Sequence, residues 1–235
     1  MHKTKLIPQH VAIVMDGNRR FARKQGILIR KGHEKGAENL EKVISFAIEK
    51  GIKILTLYAF STENWNRRQK EIRALLNILK NFLIHKRSVL ADKGVKMTTI
   101  GDLSVFPNEI QDEIETTKAA TRNGTQLNLV LALNYGARSE IVKAAKWMAQ
   151  DYKDSKISSS DFCEKNFASY LDTAGMKDPD LFIRTSGEYR ISNFLLWQIS
   201  YAELYMTKTL WPEFGPGEFQ KALDEYAIRE RRIGE

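Results

Sequence analysis

The run Val11-Ala12-Ile13-Val14-Met15 contains no polar side chain and stops at Asp16-Gly17-Asn18-Arg19-Arg20. A continuous apolar run of this length belongs to a strand buried on both faces, as in a parallel sheet covered by helices. Ligands of such sheets bind beyond the carboxyl ends of the strands. Residues 16–20 therefore fall where a ligand is expected. They offer one carboxylate for a hard cation and two guanidiniums for phosphate oxygens. This combination points to a magnesium-bound phosphate ester.

The pattern repeats along the chain. A helix carries Leu40, Val43, Ile44, Ala47 and Ile48 on one face, with Gly51 as its cap. Strand formers follow over residues 52–60, then a longer helix with Ile72, Leu75, Leu76, Leu79 and Leu83 on one side. Residues 95–100 read as a strand, and Pro107 opens a helix that Gly124 ends. Residues 127–133 are another buried-type strand, followed by a helix through Ile141, Val142, Ala145 and Met148. After a polar stretch at 151–160 come a short helix over 162–171, short strands at 181–183 and 204–207, and a last helix through Phe219, Leu223 and Tyr226. The expected fold is α/β: one domain over 1–235, with a central, mainly parallel sheet of about six strands flanked by helices.

Composition sets bounds on function. Of 235 residues, 43% are hydrophobic, enough for one sizeable core. The net charge of +8 suits an anionic partner without naming it. Cys163 is the single cysteine, so no intrachain disulfide forms and a cytoplasmic location is expected. It reads as a packed small hydrophobe on a helix. The four histidines show no metal-ligand spacing, and no segment is long and apolar enough to span a bilayer.

The other strand ends share the chemistry of the first. One ends in Phe60-Ser61-Thr62-Glu63-Asn64-Trp65-Asn66-Arg67-Arg68, another in Asn134-Tyr135-Gly136-Ala137-Arg138, and a third in Arg184-Thr185-Ser186-Gly187-Glu188-Tyr189-Arg190-Ile191-Ser192-Asn193. Separated arginine clusters suit two diphosphate groups rather than one. Trp65 and Tyr135 equally suit a core-capping role. The G-x-x-x-x-G-K-[ST] loop, the G-x-G-x-x-G loop and an aspartate-rich D-D-x-x-D are all absent.

These residues resemble the cis-prenyltransferases, the undecaprenyl diphosphate synthase family. The likeness runs from His10 to Gly234 through H-V-A-I-V-M-D-G-N, G-H-x-x-G-A, L-T-L-Y-A-F-S-T-E-N-W-N-R, N-Y-G-A-R, I-R-T-S-G-E-x-R-I-S-N-F-L-L-W-Q, Y-A-E-L-Y and R-E-R-R-I-G. It implies repeated condensation of isopentenyl diphosphate onto an allylic diphosphate, typically farnesyl diphosphate, with cis geometry. The implied product is a long-chain polyprenyl diphosphate such as undecaprenyl diphosphate, the carrier-lipid precursor for cell-wall synthesis. Mg2+ is the implied cofactor, and the implied assembly is a homodimer with transient membrane-surface contact for product release.

By the same resemblance, Asp16 is the catalytic aspartate and a metal ligand, with Glu203 as the second ligand. Gly17, Asn18, Arg19, Arg20 and Phe21 form a loop around the allylic diphosphate, helped by His33 and by Arg30, which stands one place after the usual family arginine. Arg184, Arg190, Ile191 and Ser192 belong to the isopentenyl diphosphate site. Ser61, Thr62, Glu63, Asn64, Trp65 and Arg67 form a substrate-contacting segment, in which the resemblance makes Asn64 catalytic, as the proton acceptor. A neutral amide is a poor base, so Asn64 is expected to orient water or a phosphate oxygen during proton loss. Ala59, Leu75, Ile78, Leu79 and Leu127 line a product tunnel, and Arg232-Ile233-Gly234 reaches the partner subunit. The chain departs from the family pattern at Arg19, Phe21 and Tyr189.

Three other readings compete. A phosphatase or phosphotransferase with Asp16 as nucleophile would want a second aspartate two residues on, where Asn18 stands. A nucleic-acid-binding module would spread its basic residues over an exposed face, whereas these arginines gather at strand ends. A non-catalytic subunit would lack Asp16 or the arginine–serine pattern.

Overall fold

β1 (His10–Val14) is buried at every position, and the other strands are laid on its two sides. The structure, a computed structural model, describes residues 6–229. After β1 come α1 (Asn18–Lys24), α2 (Ile29–Glu49), β2 (Ile54–Ser61), α3 (Gln69–Asp92), β3 (Val95–Ile100), α4 (Asn108–Thr121) and β4 (Leu127–Tyr135). Then follow α5 (Ala137–Lys153), α6 (Glu164–Ala168), β5 (Leu181–Arg184), β6 (Glu203–Met206) and α7 (Pro216–Ile228). The six strands pair in parallel in the order β3-β4-β2-β1-β5-β6.

This order places a topological switch point between β1 and β5. The chain leaves β1 toward β2 on one side and leaves β5 toward β6 on the other. A crevice opens where such connections diverge, and ligands of open α/β sheets bind there. The pairing aligns Val14 with Arg184, so residues 16–20 and 184–192 leave the sheet beside each other.

Strand periodicity divides the core. Val11 and Ile13 face a large cluster with α2, α3, α4 and α7, while Ala12 and Val14 face a smaller one containing Phe182, Phe194 and Leu195. Near its end β2 bulges: Tyr58 opposes Ala132 and Phe60 opposes Leu133, leaving Ala59 over. Such a bulge bends the strand and redirects side chains beside a site.

The expected elements are present, with three corrections. Asn18-Arg19-Arg20, expected as a loop, form the first turn of α1. Ala22 is the only buried residue of that helix, so it carries no apolar stripe to read. The helix expected over 162–171 shrinks to Glu164–Ala168. Cys163 is exposed at its N-cap rather than packed.

His10 ties the strands together at the opposite end of the sheet. It is 1% exposed. Its Nδ1 donates to the Lys177 carbonyl at 2.6 Å, which leaves Nε2 to accept from the Thr56 hydroxyl at 2.7 Å. Burial lowers its pKa from 6.5 to about 4, outweighing the hydrogen bond to Lys177 and the nearby Asp180 charge. The folded state therefore holds His10 neutral, while the unfolded chain takes up its proton below pH 6.5. Its contribution to stability is full above pH 6.5 and declines as the pH falls toward 4. Urea unfolding across this range should show wild type losing up to ~3 kcal/mol more than His10→Gln. Equal pH slopes for the two proteins would refute this account.

Candidate active site

Asp16 lies just beyond β1. Its backbone N–H donates to Thr185 Oγ1 at 2.9 Å, and that hydroxyl donates to the Asp16 carbonyl at 2.7 Å. Gly17 then turns the chain at φ +114°, and a Cβ there would lie 3.0 Å from Ser186 Cβ. Only glycine meets both conditions. The turn starts α1 at once and brings Arg20 back over Asp16 one helical turn later.

Asp16 Oδ2 accepts from Arg184 Nη2 at 3.0 Å, and Arg20 Nη2 stands 3.5 Å from the same oxygen. The Arg184 side chain is 4% exposed. Its Nη1 donates to the Arg190 carbonyl and to Ser192 Oγ, both at 2.6 Å, while its buried Nε has no partner. Arg20 donates to the Ser186 carbonyl at 2.6 Å and pairs with Glu188 at 2.8 Å. The loop after β5 is held in unusual conformations, with positive φ at Ser186, Gly187, Ser192, Asn193 and Leu195. Each non-glycine case costs about 1–3 kcal/mol and persists only where its surroundings enforce it. Here Phe194 and Leu195 are fully buried, and Phe194 stacks on Tyr58 with ring centroids 4.4 Å apart.

The facing wall comes from α2 and the segment after β2. Ser61 and Asn64 close a short turn, with the Ser61 N–H donating to Asn64 Oδ1 at 3.2 Å. Glu63 accepts from Asn193 Nδ2 at 2.8 Å and so joins this wall to the strained loop. Arg67 pairs with Glu71 at 2.8 Å, and His33 Nε2 lies 3.9 Å from the same carboxylate. Burial, aided by the Arg67 charge, lowers the His33 pKa to about 4, so this ring is neutral at pH 7. Asn18 Oδ1 and His33 Nε2 are buried without hydrogen-bond partners. Gly36 permits the close approach, since a Cβ there would lie 2.3 Å from Asn18 Oδ1.

These groups border one cavity of about 560 Å³. Asp16, Asn18, His33, Ser61, Glu63, Asn64, Arg67, Arg184 and Ser192 line its polar part. Ala59, Leu75, Ile78 and Leu79 line the apolar part between α3 and the sheet. The wall also includes Asn193, the last residue of the third strand end, and residues not expected at the site: Leu40, Phe82, Leu131 and Leu133. Leu131 and Leu133 share the strand face of Leu127, which was the available signal.

Several expected members lie elsewhere. Leu127 is in the core, not the cavity wall. It starts β4, roughly 13–20 Å behind Leu131 and Leu133 along the strand. Glu203 starts β6 opposite Leu181, which itself pairs with Val11, about 16 Å short of Asp16 along the sheet. It pairs with Arg229 at 2.8 Å, so within one chain it cannot share an ion with Asp16. Trp65 turns into the core, donating from Nε1 to Asn134 Oδ1 at 2.8 Å and packing on Phe60 and Phe106. Tyr135 is likewise buried, its hydroxyl donating to Glu140. Arg30 faces solvent and pairs with Glu34. Arg19 is exposed, and Gly17, Arg20, Phe21, Thr62, Arg190 and Ile191 border the site without lining the cavity. Arg232-Ile233-Gly234 lies outside the described residues.

The arrangement suits an amphipathic diphosphate. Two arginines and a carboxylate meet at the switch point, and an apolar pocket leads away from them. No group of three or more His, Cys, Asp or Glu side chains able to hold a metal occurs among the described residues. A single carboxylate still fits Mg2+ bound jointly with substrate phosphates and water. The phosphatase reading fits poorly, because the Asp16 carboxylate is engaged by two arginines and Asn18 supplies no second acid.

Comparison with known proteins agrees. The prenyltransferase family model described as "Putative undecaprenyl diphosphate synthase" matches residues 14–234. An isoprenyl transferase of Chlamydia trachomatis is 44% identical over 97% of this chain and 92% of its own length. One from Prochlorococcus marinus is 46% identical over 97% and 84%, respectively. Among solved structures, lavandulyl diphosphate synthase from Lavandula x intermedia, in complex with dimethylallyl diphosphate, superposes with TM-score 0.95 at 36% identity, covering 97% of this chain and 99% of that one. A probable undecaprenyl diphosphate synthase from Campylobacter jejuni gives TM-score 0.80 at 34% identity over the same shares. With the switch-point site and the full-length match together, the chain belongs to the undecaprenyl diphosphate synthase family and is a cis-prenyltransferase.

Proposed function

We propose that this enzyme condenses isopentenyl diphosphate repeatedly onto farnesyl diphosphate, with cis geometry, to give a polyprenyl diphosphate of carrier-lipid type. The observation that carries this reading is the junction of the Asp16–Arg20–Arg184 cluster with an apolar cavity. A diphosphate head belongs at the first and an isoprenoid tail in the second. Asn18 and His33 line the cavity, Arg20 borders it, and together they suit the allylic diphosphate. Arg184, Ser192 and the nearby Arg190 suit the isopentenyl diphosphate. The chain acts as a homodimer.

In each cycle the allylic C–O bond breaks, and its electrons leave with inorganic diphosphate. The isopentenyl double bond attacks the allylic carbon, and a proton is lost from the adjacent carbon to a diphosphate oxygen. Asp16 would hold Mg2+ with the substrate phosphates. When bound, that ion neutralises charge developing on the leaving group. Arg20 and Arg184 are oriented before substrate arrives, so they meet this charge with little reorganisation. Neutral His33 can donate to a phosphate oxygen from Nε2. The Asn64 amide, held by the Ser61 N–H, positions a phosphate oxygen to receive the proton.

Incubation with farnesyl diphosphate, labelled isopentenyl diphosphate and Mg2+ should yield a polyprenyl diphosphate. Release of phosphate without chain extension would refute the reading. Asp16→Ala should lower kcat by about 10³-fold or more with the fold intact by circular dichroism. Arg184→Lys keeps the charge but loses the fork, and should lower kcat/KM for isopentenyl diphosphate about 10- to 100-fold.

Chain length is a second test. At interior packing density a five-carbon unit needs on the order of 100 Å³, and the diphosphate heads take part of the 560 Å³, so the cavity holds fewer than about five units before its wall must move. Phe82 is the bulkiest apolar side chain that α3 contributes to the wall. Phe82→Ala should shift the product distribution to longer chains. Leu127→Ala should leave it unchanged while costing about 2–5 kcal/mol of stability. Longer products from Leu127→Ala alone would reverse the assignment.

A further inference from the structure

We infer that the tip of the α1–α2 hairpin docks on an anionic lipid bilayer. Residues 17–33 carry six lysines and arginines and no acidic residue. Between the two helices Ile27 is 39% exposed and Leu28 76% exposed. The tip is held in place: Ile27 N–H donates to the Ala22 carbonyl at 2.9 Å, and Gly32 N–H donates to the Leu28 carbonyl at 3.2 Å. Leu28 occupies the N-cap of α2, where its side chain makes no capping hydrogen bond. Serine, threonine, asparagine or aspartate is the stabilising choice at that position. Leu28 thus contributes neither a cap nor core burial to this fold.

Charge surrounds this aliphatic point. Lys24 is paired with Glu213, and Arg30 and Lys31 share Glu34. Arg19 and Arg23 are exposed and have no ion-pair partner among the described residues. The collar continues onto the start of α3, where Arg68 and Lys70 are exposed and equally unpaired. The 3.9 Å approach of His33 to Glu71 sets that turn of α3 against the first turns of α2. Protruding aliphatic tips inside a basic collar match the acyl boundary and anionic headgroups of a membrane surface. The tip also stands near the polar part of the cavity, which His33 lines. Leu28 is five residues from His33 along α2, about 7.5 Å. A bilayer at this tip would receive an isoprenoid product as it leaves. No described helix is long and apolar enough to cross the membrane, so the contact is peripheral.

The test is co-sedimentation of the full-length chain with vesicles, without substrate, so that it stands apart from the proposed reaction. Binding should be strong to phosphatidylcholine containing about one-third phosphatidylglycerol, and weak to phosphatidylcholine alone. It should decline as salt rises above about 0.15 M. Leu28→Ser should weaken binding about tenfold. The same variant should be no less stable to urea, because serine caps α2. Arg23→Gln should weaken binding about three- to fivefold, while Lys146→Gln on α5 should leave it unchanged. Equal binding of wild type and Leu28→Ser would overturn the proposal, as would no preference for anionic vesicles. A Leu28→Ser variant whose sedimentation coefficient falls without vesicles would identify the tip as a contact between copies, and would also overturn it.

Discussion

The buried pairing of Arg184 with Asp16 is the interaction on which the site depends. A guanidinium 4% exposed at the end of a strand is tolerable only if its charge is met and its N–H groups are bonded. Asp16 meets the charge from β1, and the Arg190 carbonyl and Ser192 hydroxyl accept from the other side. Folding the loop after β5 over Arg184 is therefore part of burying it. The same loop supplies the Ser186 carbonyl to Arg20 and Asn193 to Glu63. One paired charge thereby organises three separate stretches of chain. The pair would be a doubtful source of stability taken alone. Its value is pre-organisation: the cations are fixed where a diphosphate must sit.

The sheet makes this placement reproducible. Parallel strands in register bring Val14 and Arg184 level, and the switch point leaves the space above them free of a crossing connection. Alternation along β1 sends one set of side chains toward the α2–α3 layer and the other toward Phe182 and Phe194. The apolar cavity lies on the first side, where Leu131 and Leu133 project from β4. The bulge at Ala59 puts a small side chain at the neck between the polar and apolar parts.

What the sequence made legible follows the same physics. Buried strands announce themselves as apolar runs, and residues 95–100 were read to the residue. Strand ends bearing arginines located the site, because chemistry cannot be placed inside a parallel sheet. The failures are of two kinds. Helix α1 is short and buries only Ala22, so neither length nor periodicity marks it. Leu127 and Trp65 are residues whose type was right and whose position along an element was not. Leu127 and Leu131 present the same face, and only the depth of the strand separates core from cavity. Trp65 serves the indole hydrogen bond to Asn134 and the packing with Phe60, a preference that residue identity left open.

Glu203 shows how register limits an argument from motifs. Its carboxylate is chemically suited to a hard cation, but parallel pairing sets it level with Leu181 and Val11. Coulombic attraction to Arg229 satisfies it there. Asp16 stands between Arg20 and Arg184, with Glu188 on the outer side of Arg20. Arg20, Arg184 and Arg190 share two carboxylates, Asp16 and Glu188, so this cluster carries one more positive than negative charge before any ligand arrives. Buried donors with no protein partner, such as Arg184 Nε, add to that imbalance. An anion of high charge density corrects it, whereas a neutral ligand leaves it in place. The electrostatics of the site thus select for phosphate at the head, while the apolar wall formed by Leu75, Leu79, Phe82 and Leu133 selects for hydrocarbon at the tail. Only a molecule that is both satisfies the whole cavity.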